Sequence, residues 1–206
     1  VITPRRGAPA VRRVAGEAAR VEVCRDYPDD YLGQQVTKLH ADDYTDAELI
    51  CHLDADMMID RPCDPGLLMA GRRIRLVCLP VSALGRHRPW TGPTERFLGR
   101  PVEHDYMRVP PFVYPRELYP AVRAHCRAVH GMSVEAYVTS RPPRGFSEFN
   151  VLGAGARQWL PGRFAFVDER SPGRPPALCR WYWSRGGLDD ALRRELAAVT
   201  GGPGEV

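Results

Sequence analysis

The first 56 residues alternate strand and helix, and nothing else in the chain narrows the fold as far. Val1-Ile2-Thr3-Pro4 reads as the end of a strand. Pro9 to Ala19 reads as a helix with Val11, Val14, Ala15 and Ala18 on one face, and Val21 to Cys24 as a short strand. Gly33 to Asp42 suits a second helix, with Val36 and Leu39 as its apolar positions. Leu49-Ile50-Cys51-His52-Leu53 forms the core of a third strand. Strands separated by helices at this spacing predict an α/β fold with a mostly parallel central sheet flanked by helices.

The second half is less regular. Ile74 to Leu79 is an apolar strand, and residues 80 to 115, rich in Pro, Gly and Arg, read as loops around a short helix near Thr94 to Leu98. Pro115 to Val129 is an amphipathic helix with Leu118, Val122, Cys126 and Val129 on one face, Pro115 in its first turn and Gly131 at its end. Ser133 to Thr139 is a further helical segment, and Ser147 can cap a helix running through Leu152. Phe164 to Val167 reads as a strand, and Leu188 to Val199 as a helix. With no linker long enough to separate two units, residues 1–200 are expected to form one domain and residues 201–206 a disordered tail.

Composition excludes several functions. No apolar run approaches the roughly 18 residues that span a bilayer. The net charge is +4, but the arginines are scattered and Lys38 is the only lysine. No basic stripe interleaved with aromatics suggests nucleic acid, whereas a mild arginine excess suits an anionic ligand such as a nucleotide diphosphate. Cys24, Cys51, Cys63, Cys78, Cys126 and Cys179 form no C-x-x-C. Their even number permits disulfides, but a chain of this size does not need them, and Cys24, Cys51 and Cys78 each sit in an apolar run, so they are expected to be reduced core residues of a cytoplasmic protein. The chain opens on Val1, so its beginning carries no argument about secretion.

Asp54 and Asp56 follow directly on the third strand. Ligands of α/β sheets bind at the carboxyl ends of strands. Two carboxylates one residue apart at such an end can aim at one point and suit Mg²⁺ or Mn²⁺, which takes its remaining ligands from substrate phosphates and water. With 14 aspartates in 206 residues, a D-x-D arises by chance roughly once. The apolar strand before it and Met57-Met58-Ile59 after it narrow the reading. The alternative is an acidic turn with solvated carboxylates.

Leu53-Asp54-Ala55-Asp56 resembles the D-x-D signature of GT-A glycosyltransferases. Three further blocks are similar to a family of bacterial and viral GT-A-like proteins. Gly33-Gln34-Gln35-Val36-Thr37-Lys38-Leu39 resembles its Q-Q-x-x-K-L helix. Phe146-Ser147-Glu148-Phe149-Asn150-Val151-Leu152-Gly153 resembles its F-S-E block with a closing glycine. Trp183-Ser184-Arg185-Gly186-Gly187 resembles a closing motif that contains tryptophan. The likeness covers roughly residues 20 to 190 and implies a GT-A-like domain, with Asp54 and Asp56 binding the metal and the sugar diphosphate. It also exposes two departures. At most a remnant of the usual first β-α unit is expected, and no histidine after His130 can serve as a late metal ligand.

Within this frame Glu148 is the candidate catalytic base. Inverting transfer needs a carboxylate for the acceptor's proton, although acidic residues also favour helix N-termini for electrostatic reasons. Gln35 and Lys38, three apart on a helix, share a face, and it is expected to meet the nucleotide or, alternatively, solvent. Arg185 is a candidate phosphate contact, Asn150 a candidate sugar contact. Trp181, Tyr182 and Trp183 read as core more readily than as a stacking platform. His52 reads as buried, and His125 and His130, five apart, as a poor metal pair.

The leading expectation is a metal-dependent glycosyltransferase of the hexosyltransferase type. It would use a UDP- or GDP-sugar donor with Mn²⁺ or Mg²⁺ and an unknown glycan or small-molecule acceptor. The alternatives are a degenerate GT-A domain that binds nucleotide or glycan without catalysis, and a metal-dependent phosphohydrolase or nucleotidyltransferase.

Overall fold

The computed structural model describes residues 1–59, 62, 64–182, 187 and 189–200. Cys63, the block around Trp183 and Arg185, and the expected tail at 201–206 lie outside the described residues. The strands are β1 (Ile2–Pro4), β2 (Glu22–Cys24), β3 (Leu49–His52), β4 (Met57–Met58), β5 (Met69–Ala70), β6 (Arg73–Pro80), β7 (His104–Asp105), β8 (Phe112–Pro115), β9 (Phe164–Asp168) and β10 (Arg180–Trp181). The α-helices are α1 (Ala8–Ala15), α2 (Asp30–Lys38), α3 (Thr91–Leu98), α4 (Leu118–His130), α5 (Val134–Thr139), α6 (Glu148–Trp159) and α7 (Asp190–Thr200).

The fold is α/β, but its sheets are small and mixed. β1 pairs with β2, and β6 with β9, in parallel. The remaining pairings among the described residues, β3 with β8, β4 with β10, and β6 with both β5 and β7, are antiparallel. The expected mostly parallel central sheet is therefore not what the described strands form. The difference lies in β8, which falls where loops were expected. Pro110 and Pro111 before it and Pro115 at its end hide a strand whose four residues are all buried. Proline is tolerated at strand ends, so Phe112-Val113-Tyr114 can still pair with β3. Pro115 thus closes a strand and does not open α4, which begins at Leu118.

β3 alternates, with Ile50 and His52 buried and Leu49 and Cys51 exposed, the pattern of a strand with one covered face. Cys51 is therefore not a core residue, whereas Cys24, Cys78 and Cys126 are buried free thiols and Cys179 is buried. Two helical faces also differ from expectation. α1 stops at Ala15, before a glycine at positive φ, and leaves Val14 89% exposed. On α4, Leu118, Val122 and Cys126 are buried but Val129 is exposed.

One apolar core runs from α2 to β9 and centres on α6, whose residues from Glu148 to Ala156 are all buried. Phe97, Tyr114, Tyr119, Phe146, Phe149 and Leu152 are fully buried within it. Each such side chain contributes about 1.5–3 kcal/mol of burial. α6 can lie this deep because glycine lets neighbours close in. A Cβ on Gly153 would run into the Tyr106 side chain. α4 packs on α6 and α2 on α5, and Arg123 of α4 grips Asp42 with bonds of 2.6 and 2.7 Å, fixing the segment that follows α2. No helix among the described residues is long and apolar enough to cross a membrane.

Candidate functional site

The acidic turn is built by two constraints. After β3 the chain folds back on itself, with the Met57 amide donating to the Asp54 carbonyl at 3.0 Å. β4 then pairs with β10, Met57 opposite Trp181, and the Tyr182 amide donates to the Asp56 carbonyl at 2.7 Å. The carboxyl end of β3 is thereby tied to the late segment, and Trp181 is carried to the side of Asp54 and Asp56.

Two helices complete the site. α2 is capped by Asp29, whose carboxylate accepts from the Leu32 amide at 3.0 Å. Its buried face carries Leu32, Gln35 and Val36, while Tyr31, Gln34 and Lys38, at the spacing i, i+3 and i+7, line a cavity. α6 begins at the same cavity with Ser147, Glu148 and Phe149. Ser147 holds the N-cap position by backbone conformation alone. Its hydroxyl accepts from the Asn150 amide group at 3.1 Å instead of capping. The cavity measures about 290 Å³, and Asp54, Ala55, Asp56, Trp90, Met107 and Trp181 form the rest of its wall.

At its floor the Lys38 ammonium pairs with Asp54 Oδ1 and lies 2.7 Å from Glu148 Oε1. It also sits 4.5 Å from the centre of the Phe149 ring, a cation–π contact. Burial pushes the Asp54 carboxyl above its ordinary range, Lys38 opposes this, and Glu148 and Asp56 add to it. Burial alone would lower the Lys38 ammonium, but Glu148 and Asp54 outweigh it and raise it. Beneath the floor, His52 Nε2 meets the Tyr119 hydroxyl at 2.6 Å, and Phe149 stacks on Phe112 with centroids 4.0 Å apart.

Of the expected site residues, Lys38, Asp54, Asp56 and Glu148 come together on one cavity. Gln35 does not. It is 1% exposed, its amide donates to the Tyr31 carbonyl at 3.3 Å, and Gln34 lines the cavity in its place. Lys38 faces carboxylates rather than open space. Asn150 is a structural residue, accepting from the Tyr106 amide at 2.8 Å and donating to Ser147. Trp181 lines the cavity, against the core reading. Arg185 lies outside the described residues. His52 is buried as expected. His125 and His130 both pack on the Phe97 ring, at 5.7 and 5.8 Å, despite their five-residue spacing. Trp90 and Met107 had no signal in the sequence, since both lie in the irregular stretch. Tyr31 and Gln34 were detectable, because they share the helical face of Lys38.

Among the described residues no three His, Cys, Asp or Glu close up as a metal-holding group. Three lining carboxylates, Asp54, Asp56 and Glu148, share the cavity with one described ammonium. Asp54 and Asp56 are hard oxygen donors that could hold Mg²⁺ or Mn²⁺ together with water and a ligand's oxygens. Compared with protein-family models, with curated proteins and with solved structures, the chain has no significant match.

Proposed function

We propose that the chain is a metal-dependent glycosyltransferase with a GT-A-like domain, transferring a sugar from a UDP- or GDP-sugar to a glycan or small-molecule acceptor. The observation that carries this reading is the convergence of Asp54, Asp56, Lys38 and Glu148, from β3, α2 and α6, on one cavity walled by Trp90 and Trp181.

In this reading Asp54 and Asp56 would hold Mn²⁺ or Mg²⁺, and the cation would supply positive charge to offset that of the diphosphate leaving group. Trp181 and Trp90 offer aromatic faces to the sugar or the base. Glu148, at the start of α6 and oriented by Lys38, takes the proton of the acceptor hydroxyl as its oxygen bonds to the anomeric carbon and the bond to the diphosphate breaks. The assignment of Glu148 belongs to inverting transfer. The cytoplasm is the compartment that suits this reading, with its cysteines kept as thiols.

A second reading has one observation in its favour. Lys38 already pairs with Asp54 and Glu148, as expected of a domain that binds nucleotide or glycan without turning it over. Turnover separates the two. Incubation with UDP- and GDP-sugars and Mn²⁺ is expected to release nucleotide, with the sugar transferred to an acceptor or to water, and Asp54→Ala with Asp56→Ala is expected to abolish the release while the fold persists. Nucleotide binding without turnover would favour the second reading. Release of phosphate or nucleotide from sugar-free substrates would point to a phosphohydrolase.

A further inference from the structure

Lys38 is the chain's single lysine; the other 28 of its 29 basic residues (29 − 1) are arginines. Its side chain is 13% exposed, and those of its partners Asp54 and Glu148 are 16% and 8% exposed. The ammonium reaches across from α2 to join carboxylates whose positions in the chain are 94 residues apart (148 − 54). Three donors on a compact charge between two carboxylates occupy the place to which a divalent cation would be drawn. Two cations sharing Asp54 in a half-dry cavity would repel each other, so occupancy by one opposes occupancy by the other.

We propose that Lys38 is the resident counter-ion of this site, and that a divalent cation gains Asp54 only by displacing it. The proposal rests on the reading of Asp54 and Asp56 as the metal-binding pair. The choice of lysine has a physical reason. A guanidinium would clamp a carboxylate through a planar fork, whereas an ammonium on a flexible four-carbon stem can leave one partner and take another. Once displaced from Asp54, the ammonium stays in the cavity and is free to meet phosphate oxygens. Metal alone therefore binds weakly, and metal with a nucleoside diphosphate binds better, because the phosphates receive the charge that the metal expels. By linkage the diphosphate tightens the metal as much as the metal tightens the diphosphate.

The single lysine makes the test direct. Protein labelled with ¹³C only at lysine gives one ε-methylene signal. Titration with Mg²⁺ in the absence of nucleotide is expected to shift that signal saturably. Calorimetry is expected to show Lys38→Met binding Mg²⁺ or Mn²⁺ at least about tenfold more tightly than the wild type, with the gain lost when Asp54→Asn is added. Metal binding that Asp54→Asn abolishes, with an unmoved lysine signal and no gain in Lys38→Met, would overturn the counter-ion role and leave the metal site standing. Absence of metal binding in every variant would overturn both. Should Lys38→Met fail to fold, the wild-type titration decides.

Discussion

His52 Nε2 and the Tyr119 hydroxyl meet at 2.6 Å beneath the acidic turn, joining the strand that delivers Asp54 to helix α4. Both residues are nearly sealed from solvent, at 8% and 0% exposure. Removing one partner leaves the other polar group buried and unsatisfied. Tyr119→Phe is expected to lower the unfolding free energy by about 1–3 kcal/mol, measured by denaturant titration. An unchanged midpoint would mean that the bond contributes nothing.

The same histidine sets an acid limit. Burial first, and the Lys38 charge second, push the His52 imidazole from its ordinary value of 6.5 down to about 3. Because the folded value lies below the unfolded one, the unfolded chain binds the proton more readily between these limits. The contribution of His52 is present above its unfolded value of 6.5 and is lost as the pH drops toward 3, by up to about 1.4 kcal/mol per pH unit. Between pH 6.5 and 5, above most carboxylate titrations, His52→Gln is expected to flatten the dependence of the denaturation midpoint on pH. An equal slope in both proteins would contradict the assignment.

Gly153 holds α6 against Tyr106 so closely that a methyl group has no room. Gly153→Ala is expected to cost about 1–3 kcal/mol through overpacking, read as a lowered melting temperature. A melting temperature at or above that of the wild type would show that Tyr106 yields freely. The closing glycine of the F-S-E block then has a packing role, independent of any chemistry.

Glu148→Gln keeps an oxygen that can accept from Lys38 but cannot take a proton at neutral pH. Turnover is expected to fall by about 10²–10⁴-fold, with far-ultraviolet circular dichroism and melting temperature close to those of the wild type. Full activity in this variant would remove Glu148 from the reaction.

The placement of the acidic turn was legible in local pattern: a short apolar run ends in Asp54 and Asp56. Glu148 was singled out mainly by the likeness of its block to the F-S-E motif, since an acidic residue in the first turn of a helix is ordinary. The facing of Gln35 was misjudged, although the pattern held the answer. Leu32, Gln35, Val36 and Leu39 follow the spacing of one helical face, and three apolar residues draw Gln35 into the core with them. What no local pattern encodes is the meeting of Lys38 with Glu148, 110 residues away, which depends on how α2 and α6 pack. The antiparallel partner of β3 was hidden for another reason. Prolines flank Phe112-Val113-Tyr114, and their usual place in loops outweighed the strand preference of the three residues between them.

The proposed function requires Asp54 and Asp56 to form a metal-dependent donor site. Calorimetric titration of UDP and GDP, each with and without Mn²⁺, into the wild type and Asp56→Ala tests it most directly. Binding of at least one nucleotide that requires Mn²⁺ and disappears in Asp56→Ala is expected. Binding indifferent to both Mn²⁺ and Asp56, or no binding of either nucleotide, would contradict it.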